Sequence, residues 1–256
     1  GVEELDVRDI RAGVSVAHGV WTTIADPVVV GLAARAGFDY TCIDMQHGLA
    51  TDSDLPTLLR YLRGTPTTTV VRVPAADFPA IGRALDLGAD GVVVPMVENA
   101  EQAALAVAAA RYPTSTPPGR RSWGPIFADL DGVTPPHVAD PLVIVMIETP
   151  GAFEAVEEIA SVPGVDALYV GPYDLALSSG FGQQIYRDDP EIERRIQHVV
   201  DTAIRHDLIP AVHCTDLQMV HDWRERGARM LTTGLDTTLI SQAFATRYAE
   251  ASGDPA

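Results

Sequence analysis

The chain of 256 residues contains no lysine; all 18 basic residues are arginine. That absence excludes every mechanism built on a lysine amine, whether Schiff base, pyridoxal phosphate anchor or P-loop clamp. Positive charge is scarce altogether. With 35 acidic residues the formal charge is -17. Such a surface repels phosphate backbones and anionic lipid, so neither a nucleic-acid partner nor a membrane surface is expected. Cysteine is nearly absent. Cys42 and Cys214 show no Cys-x-x-Cys or zinc spacing and read as buried free thiols in a reducing compartment. No apolar run is long enough to span a bilayer. Gly1 to Arg11 is charged and lacks the apolar core of a signal peptide. The expectation is a cytoplasmic protein; a small anionic substrate would need a local cation or metal.

What is present is a rhythm. Apolar strand-like runs near Val14–Trp21, Tyr40–Ile43, Thr69–Val73, Gly91–Val94, Leu142–Ile147, Val165–Val170, Leu208–His213 and Arg229–Thr232 each precede a helical stretch. Near-continuous apolar strands are those buried on both faces of a parallel sheet. Eight such units in about 250 residues predict a single (β/α)8 TIM barrel over residues 1–256. A doubly wound sheet is disfavoured, since no Gly-x-Gly-x-x-Gly turn follows a strand. Helices are predicted to end at Gly37, Gly88 and Gly227, at the rim opposite the site. One segment breaks the rhythm: residues 112–141 hold seven prolines and three glycines. So long an irregular connection is either a functional loop or a passive insertion.

Barrel active sites lie at the carboxyl ends of the strands. Those ends deliver Trp21, Asp44 with His47, Arg72, Pro95, Glu148, Asp174, His213, and Thr232 with Thr233. Asp44 and His47 read as an acid–base pair or as a loop satisfying its own backbone. Arg72, closing an apolar strand, either pairs with an acid or contacts an anionic oxygen. Glu148 and Asp174 lie one βα unit apart, on strands about 4.8 Å from each other. Together they suit a hard divalent ion; the alternative is that each caps a helix or turn. Trp21 is core packing or pocket wall, and His213 a satisfied histidine or a ligand.

These residues, in order, resemble the HpcH/HpaI family of metal-dependent class II pyruvate aldolases. The likeness is carried by Gly19-x-Trp21, Asp44-x-x-His47-Gly48, Val71-Arg72-Val73-Pro74, Leu85-Asp86-x-Gly88-Ala89-x-Gly91 with Val94-Pro95-Met96-Val97, Ile147-Glu148-Thr149 and Gly171-Pro172-x-Asp174-Leu175. It implies a barrel whose C-terminal helix swaps onto a neighbour in a homo-oligomer, a hexamer or trimer. It implies a divalent ion (Mg2+, Mn2+ or Co2+) on Glu148 and Asp174, chelated by pyruvate, with backbone amides near Tyr173 and Asp174 at the carboxylate. His47, oriented by Asp44, would move the proton, Arg72 would hold the keto oxygen, Trp21 would line the substrate, and Asp86 would come from an adjacent chain. Two features depart from the pattern. Met146 stands where relatives often have Gln, and Thr114–Pro118 lengthens a turn.

The activity so implied is reversible aldol cleavage of a 4-hydroxy-2-oxo acid to pyruvate and an aldehyde through a metal-bound enolate. The alternatives are oxaloacetate decarboxylation, an acyl-CoA lyase with Arg120 and Arg121 as the only CoA-phosphate candidates, and a barrel that binds a small acid without catalysis.

Overall fold

The computed structural model describes residues 9–10, 15–124 and 140–253. Eight parallel strands close on themselves in sequence order. They are β1 Ala17–Thr22, β2 Tyr40–Asp44, β3 Thr68–Arg72, β4 Gly91–Val94, β5 Leu142–Ile147, β6 Ala167–Val170, β7 Ile209–His213 and β8 Met230–Leu235. The helices between and after them are α1 Pro27–Arg35, α2 Leu55–Leu62, α3 Phe78–Asp86, α4 Ala100–Ala110, α5 Pro150–Glu154, α6 Val156–Ala160, α7 Pro172–Ser178, α8 Pro190–Arg205, α9 Leu217–Glu225 and α10 Asp236–Ser252. The barrel is therefore the one expected. The helical stretch after the fifth strand is two helices, α5 and α6, broken where Ala155 leaves helical geometry at ψ 11°. Residues 125–139 of the proline-rich segment lie outside the described residues.

Local chemistry explains the junctions. Asp26, Asp77 and Asp216 cap the helices that follow them by accepting backbone N–H groups. Gly37, Gly88 and Gly227 end helices at φ near 100°, a conformation costly for any side chain. Asp39 and Asp90, two residues beyond Gly37 and Gly88, and Asp166, two beyond Gly164, each accept a backbone N–H from the preceding strand, on His18, Thr69 and Val143. The repeated Gly-x-Asp junction thus ends a helix and ties two strands at the amino-terminal rim.

Strand parity divides the core. Successive side chains alternate between the faces, so Ile43, Val71, Val145 and Leu168 pack outward against helices. Tyr40, Cys42, Val70, Ile144, Met146, Tyr169 and Ala211 fill the barrel interior. Continuing the inward parity toward the carboxyl ends gives Trp21, Asp44, Arg72, Met146, Gly171 and His213. That top layer is the floor of a pocket.

Among the described residues no helix is long and apolar enough to cross a membrane. Cys42 and Cys214 are buried free thiols.

Candidate active site

The pocket at the barrel mouth has a volume of about 230 Å³. Trp21, Asp44, His47, Arg72, Tyr173 and Asp174, all named from the sequence, line it. Thr23, Met146, Gly171, Pro172, His213, Thr215 and Leu235 complete the wall. A larger groove outside the barrel, between α2 and α3, is lined by Met45, Leu55, Pro74 and Arg83 and gathers no catalytic constellation.

Asp44 and Arg72 face each other in strand register. Arg72 Nε donates to Asp44 Oδ1 at 2.9 Å, and Nη2 donates to Oδ2 at 2.5 Å. Burial pushes the Asp44 carboxyl upward, but the bonds and charge of Arg72 outweigh it and hold the pKa below the usual range. Both readings of Asp44 hold in part. Its Oδ1 also accepts the backbone N–H groups of Gln46 (3.0 Å) and His47 (3.2 Å). Asp44 therefore fixes His47 through the backbone and makes no bond to its ring. The turn needs Gly48, where a Cβ would lie 2.2 Å from the Asp44 carbonyl oxygen.

The arginine is held on three sides. Its guanidinium lies 5.1 Å from the centroid of Trp21, a cation–π contact. Among the described residues the remaining nitrogen, Nη1, meets only the Met146 sulfur, at 4.0 Å. A thioether is a weak acceptor, so this donor is not fully engaged. Among the described residues the Trp21 indole N–H has no acceptor at hydrogen-bonding geometry.

Glu148 follows β5 and is buried. It does not cap the next helix; Thr149 does, accepting the Ala152 N–H at 3.1 Å. Glu148 Oε1 instead accepts the Met96 N–H at 2.8 Å. Met96 holds φ 55° to present it, a backbone state uncommon outside glycine. Burial raises the Glu148 pKa; the Met96 bond opposes this, and the charge of Asp174 adds to it. Asp174 sits in the first turn of α7.

These carboxylates fit the divalent ion that the resemblance implies. Gly171 leaves open the space between them and the strand: a Cβ there would lie 3.3 Å from Glu148 Oε2 and 3.4 Å from Met146 Cε. A cation would relieve the burial and like-charge costs that act on Glu148. Among the described residues no group of three or more His, Cys, Asp or Glu could hold a metal. That leaves a two-carboxylate set, suited to a hard ion that keeps water or substrate oxygens.

Two expected residues are elsewhere. Asp86 ends α3 at the amino-terminal rim, away from its own chain's pocket. There it accepts from Arg121 Nε (3.1 Å) and Nη2 (2.7 Å). Arg121 is buried by this pairing and stacks over Tyr112 at 4.7 Å. Arg121 is therefore not a free cation for CoA phosphates, whereas its neighbour Arg120 is exposed.

Sequence reasoning missed Met96, whose role is a backbone N–H. It also missed Asp236, which accepts the backbone N–H groups of Thr23 (2.9 Å) and Ile24 (2.8 Å) and the Thr23 hydroxyl (2.8 Å). The position of Asp236 directly after β8 was the available signal.

A parallel barrel carrying this rim defines an enzyme scaffold with its chemistry at the strand ends. Comparison with known proteins makes the assignment. The HpcH/HpaI aldolase/citrate lyase family model matches residues 17–243, and the chain belongs to that family. It is accordingly a carbon–carbon lyase. A 4-hydroxy-2-oxovalerate aldolase from Novosphingobium aromaticivorans is 35% identical over 86% of this chain and 84% of its own length. A 4-hydroxy-2-oxo-heptane-1,7-dioate aldolase from Klebsiella pneumoniae is 33% identical over 90% and 88%. A solved HpcH/HpaI aldolase/citrate lyase family protein from Burkholderia cenocepacia superposes with TM-score 0.86 at 30% identity, covering 95% of this chain and 97% of that one.

Proposed function

We propose that the protein catalyses reversible aldol cleavage of a 4-hydroxy-2-oxo acid to pyruvate and an aldehyde, using the pocket at the barrel mouth. The observation that carries this reading is the convergence there of the His47 ring, the weakly engaged Nη1 of Arg72 and Asp174, with Glu148 against the pocket glycine Gly171. In cleavage the C4 hydroxyl loses its proton and the C3–C4 bond breaks. C4 leaves as the aldehyde carbon, and the electron pair passes through C3 and C2 onto the C2 oxygen, giving the pyruvate enolate. A proton added at C3 completes pyruvate.

His47 moves the proton through water; its backbone is anchored by Asp44, and among the described residues its ring makes no hydrogen bond. Arg72 donates from Nη1 to the developing oxyanion, while Asp44 keeps the guanidinium in one orientation. Backbone amides at Tyr173 and Asp174 assist at the substrate carboxylate, and Trp21 forms the wall beside it. Glu148 and Asp174 hold a divalent ion (Mg2+, Mn2+ or Co2+), which when bound supplies a Lewis acid in place of a lysine iminium. Asp86 completes the site of an adjacent chain in a homo-oligomer, a trimer or hexamer. Supporting that assembly, α10 leaves Phe244 and Tyr248 more than 70% exposed, as a helix that packs on a neighbour would. We place the reaction in the cytoplasm.

Hydrogen exchange at the pyruvate methyl in D2O tests the reading. Exchange is expected with Mg2+ or Mn2+ and should stop with chelator. No exchange under any divalent ion overturns the aldolase reading; exchange indifferent to chelator overturns the metal.

A further inference from the structure

The pocket wall has a second arc that the cleavage chemistry leaves unused. It comes from β7, β8 and β1. His213 and Thr215 lie two residues apart, so both face the pocket, while Cys214 between them packs in the outer core. Leu235 and Trp21 flank them.

His213 is fixed from behind. Its Nδ1 lies 3.3 Å from the Tyr169 hydroxyl. That hydroxyl bonds to Thr232, and Thr232 lies 3.2 Å from the Tyr40 hydroxyl. Trp21 packs edge-on to the imidazole with centroids 4.9 Å apart. The second ring nitrogen, Nε2, has no hydrogen-bond partner among the described residues. The ring is uncharged at neutral pH: burial and then the charge of Arg72 push its pKa down to about 4, against the pull of Asp44. A neutral imidazole with one nitrogen engaged offers the other as a hydrogen-bonding group. Thr215 is a second such group, since among the described residues its hydroxyl meets only the Met219 sulfur, at 3.9 Å. The Thr23 hydroxyl, by contrast, is taken by Asp236.

What this arc lacks is a cation. Among the described residues Arg72 is the only arginine lining the pocket, two of its nitrogens are on Asp44, and the chain has no lysine. A second carboxylate bound here would be desolvated without a partner and would face Asp44 and Asp174, both on the same wall.

We infer that the aldehyde half of the substrate is uncharged and hydroxyl-bearing, recognised by His213 and Thr215, and that carboxylate-bearing aldehydes are disfavoured. This rests on the aldolase reading above.

Three three-carbon aldehydes test it: D-glyceraldehyde, propanal and malonic semialdehyde. Each is added to the full-length protein with Mn2+ and pyruvate, and kcat/KM for adduct formation is measured. D-Glyceraldehyde should exceed both others at least tenfold. His213→Leu should lower the glyceraldehyde-to-propanal ratio at least tenfold, His213→Gln should restore most of it, and Thr215→Val should lower it about threefold. His213→Arg should shift preference toward malonic semialdehyde. If malonic semialdehyde matches D-glyceraldehyde in the wild type, the inference is wrong. The same holds if soluble His213→Leu or Thr215→Val leaves the ratio unmoved. Pyruvate exchange in D2O needs no aldehyde and separates the two failures. Exchange without the preference defeats this inference alone; absent exchange defeats the aldolase reading and the inference with it.

Discussion

The arc of the barrel mouth built by β2, β3, β5 and β6 brings together Asp44, His47, Arg72, Glu148 and Asp174. The arc built by β7, β8 and β1 presents His213, Thr215, Leu235 and Trp21, with no charge toward the pocket among the described residues. Both rest on the same barrel floor, yet their energetics differ. In the charged arc Asp44 depends on Arg72, and Glu148 on the Met96 N–H. In the neutral arc hydroxyls and an uncharged ring satisfy one another, with one donor or acceptor left over on each of two residues. The first arc is built to stabilise charge that appears during reaction and is costly to disturb. The second shapes which molecule fits.

The comparison predicts a descending series of effects. Arg72→Ala should be the largest, because it leaves Asp44 buried and uncompensated. Loss of one partner of a buried pair costs about 3–5 kcal/mol, readable in urea unfolding. Loss of one oxyanion donor should slow turnover ~100- to 1,000-fold. The double variant Asp44→Leu/Arg72→Met should recover much of the stability but none of the turnover; if it does not, the pair is not the source of the loss.

Metal linkage comes next. An ion at about 100 times its Kd should stabilise the wild type by about 2.7 kcal/mol, seen as a rise in Tm with added Mn2+. Glu148→Gln and Asp174→Asn should each abolish that rise. A rise that persists in both would move the ion to other residues.

Acid should weaken the charged arc selectively. The Asp44 carboxyl is held below its usual range in the folded state. Its contribution is therefore complete above the unfolded value of about 3.9 and is lost as pH falls through the lower folded value. Glu148, raised by burial, works in the opposite direction. The decisive quantity is the stability difference between wild type and Asp44→Asn, which should shrink as pH is lowered below about 4; a constant difference would contradict the ion-pair account.

The smallest effect should lie in the neutral arc. Thr215→Val removes a hydroxyl bonded only to a thioether, so stability should change by less than about 1 kcal/mol while aldehyde selectivity moves. A large loss of stability would mean that the two arcs are not energetically separate.

Much of this was readable from the chain. The strand–helix rhythm and the helix-ending glycines carried the barrel. Placing the chemistry at strand ends needed only the rule that barrel sites lie there, and so Trp21, Asp44, His47, Arg72, Glu148 and Asp174 could be named together. Residue type did not reveal partners. Glu148 as a helix cap was a sound local reading, but Thr149 sits one residue closer to the helix and takes the cap. Asp44 as the holder of the His47 ring was plausible at a spacing of three, yet strand register sets Arg72 directly opposite it. His213 read as a satisfied histidine or a ligand; among the described residues it is satisfied at one nitrogen only.

By itself the sequence determined the lysine-free chemistry, the eight-unit order and the types of residue available at the mouth, because these follow from composition and local periodicity. Only the tertiary structure decided which groups meet. Barrel closure and strand register bring together residues far apart in the chain, as with Arg72 and Asp44, Met96 and Glu148, or His213 and Tyr169. These contacts depend on long-range geometry, which neither local pattern nor propensity encodes.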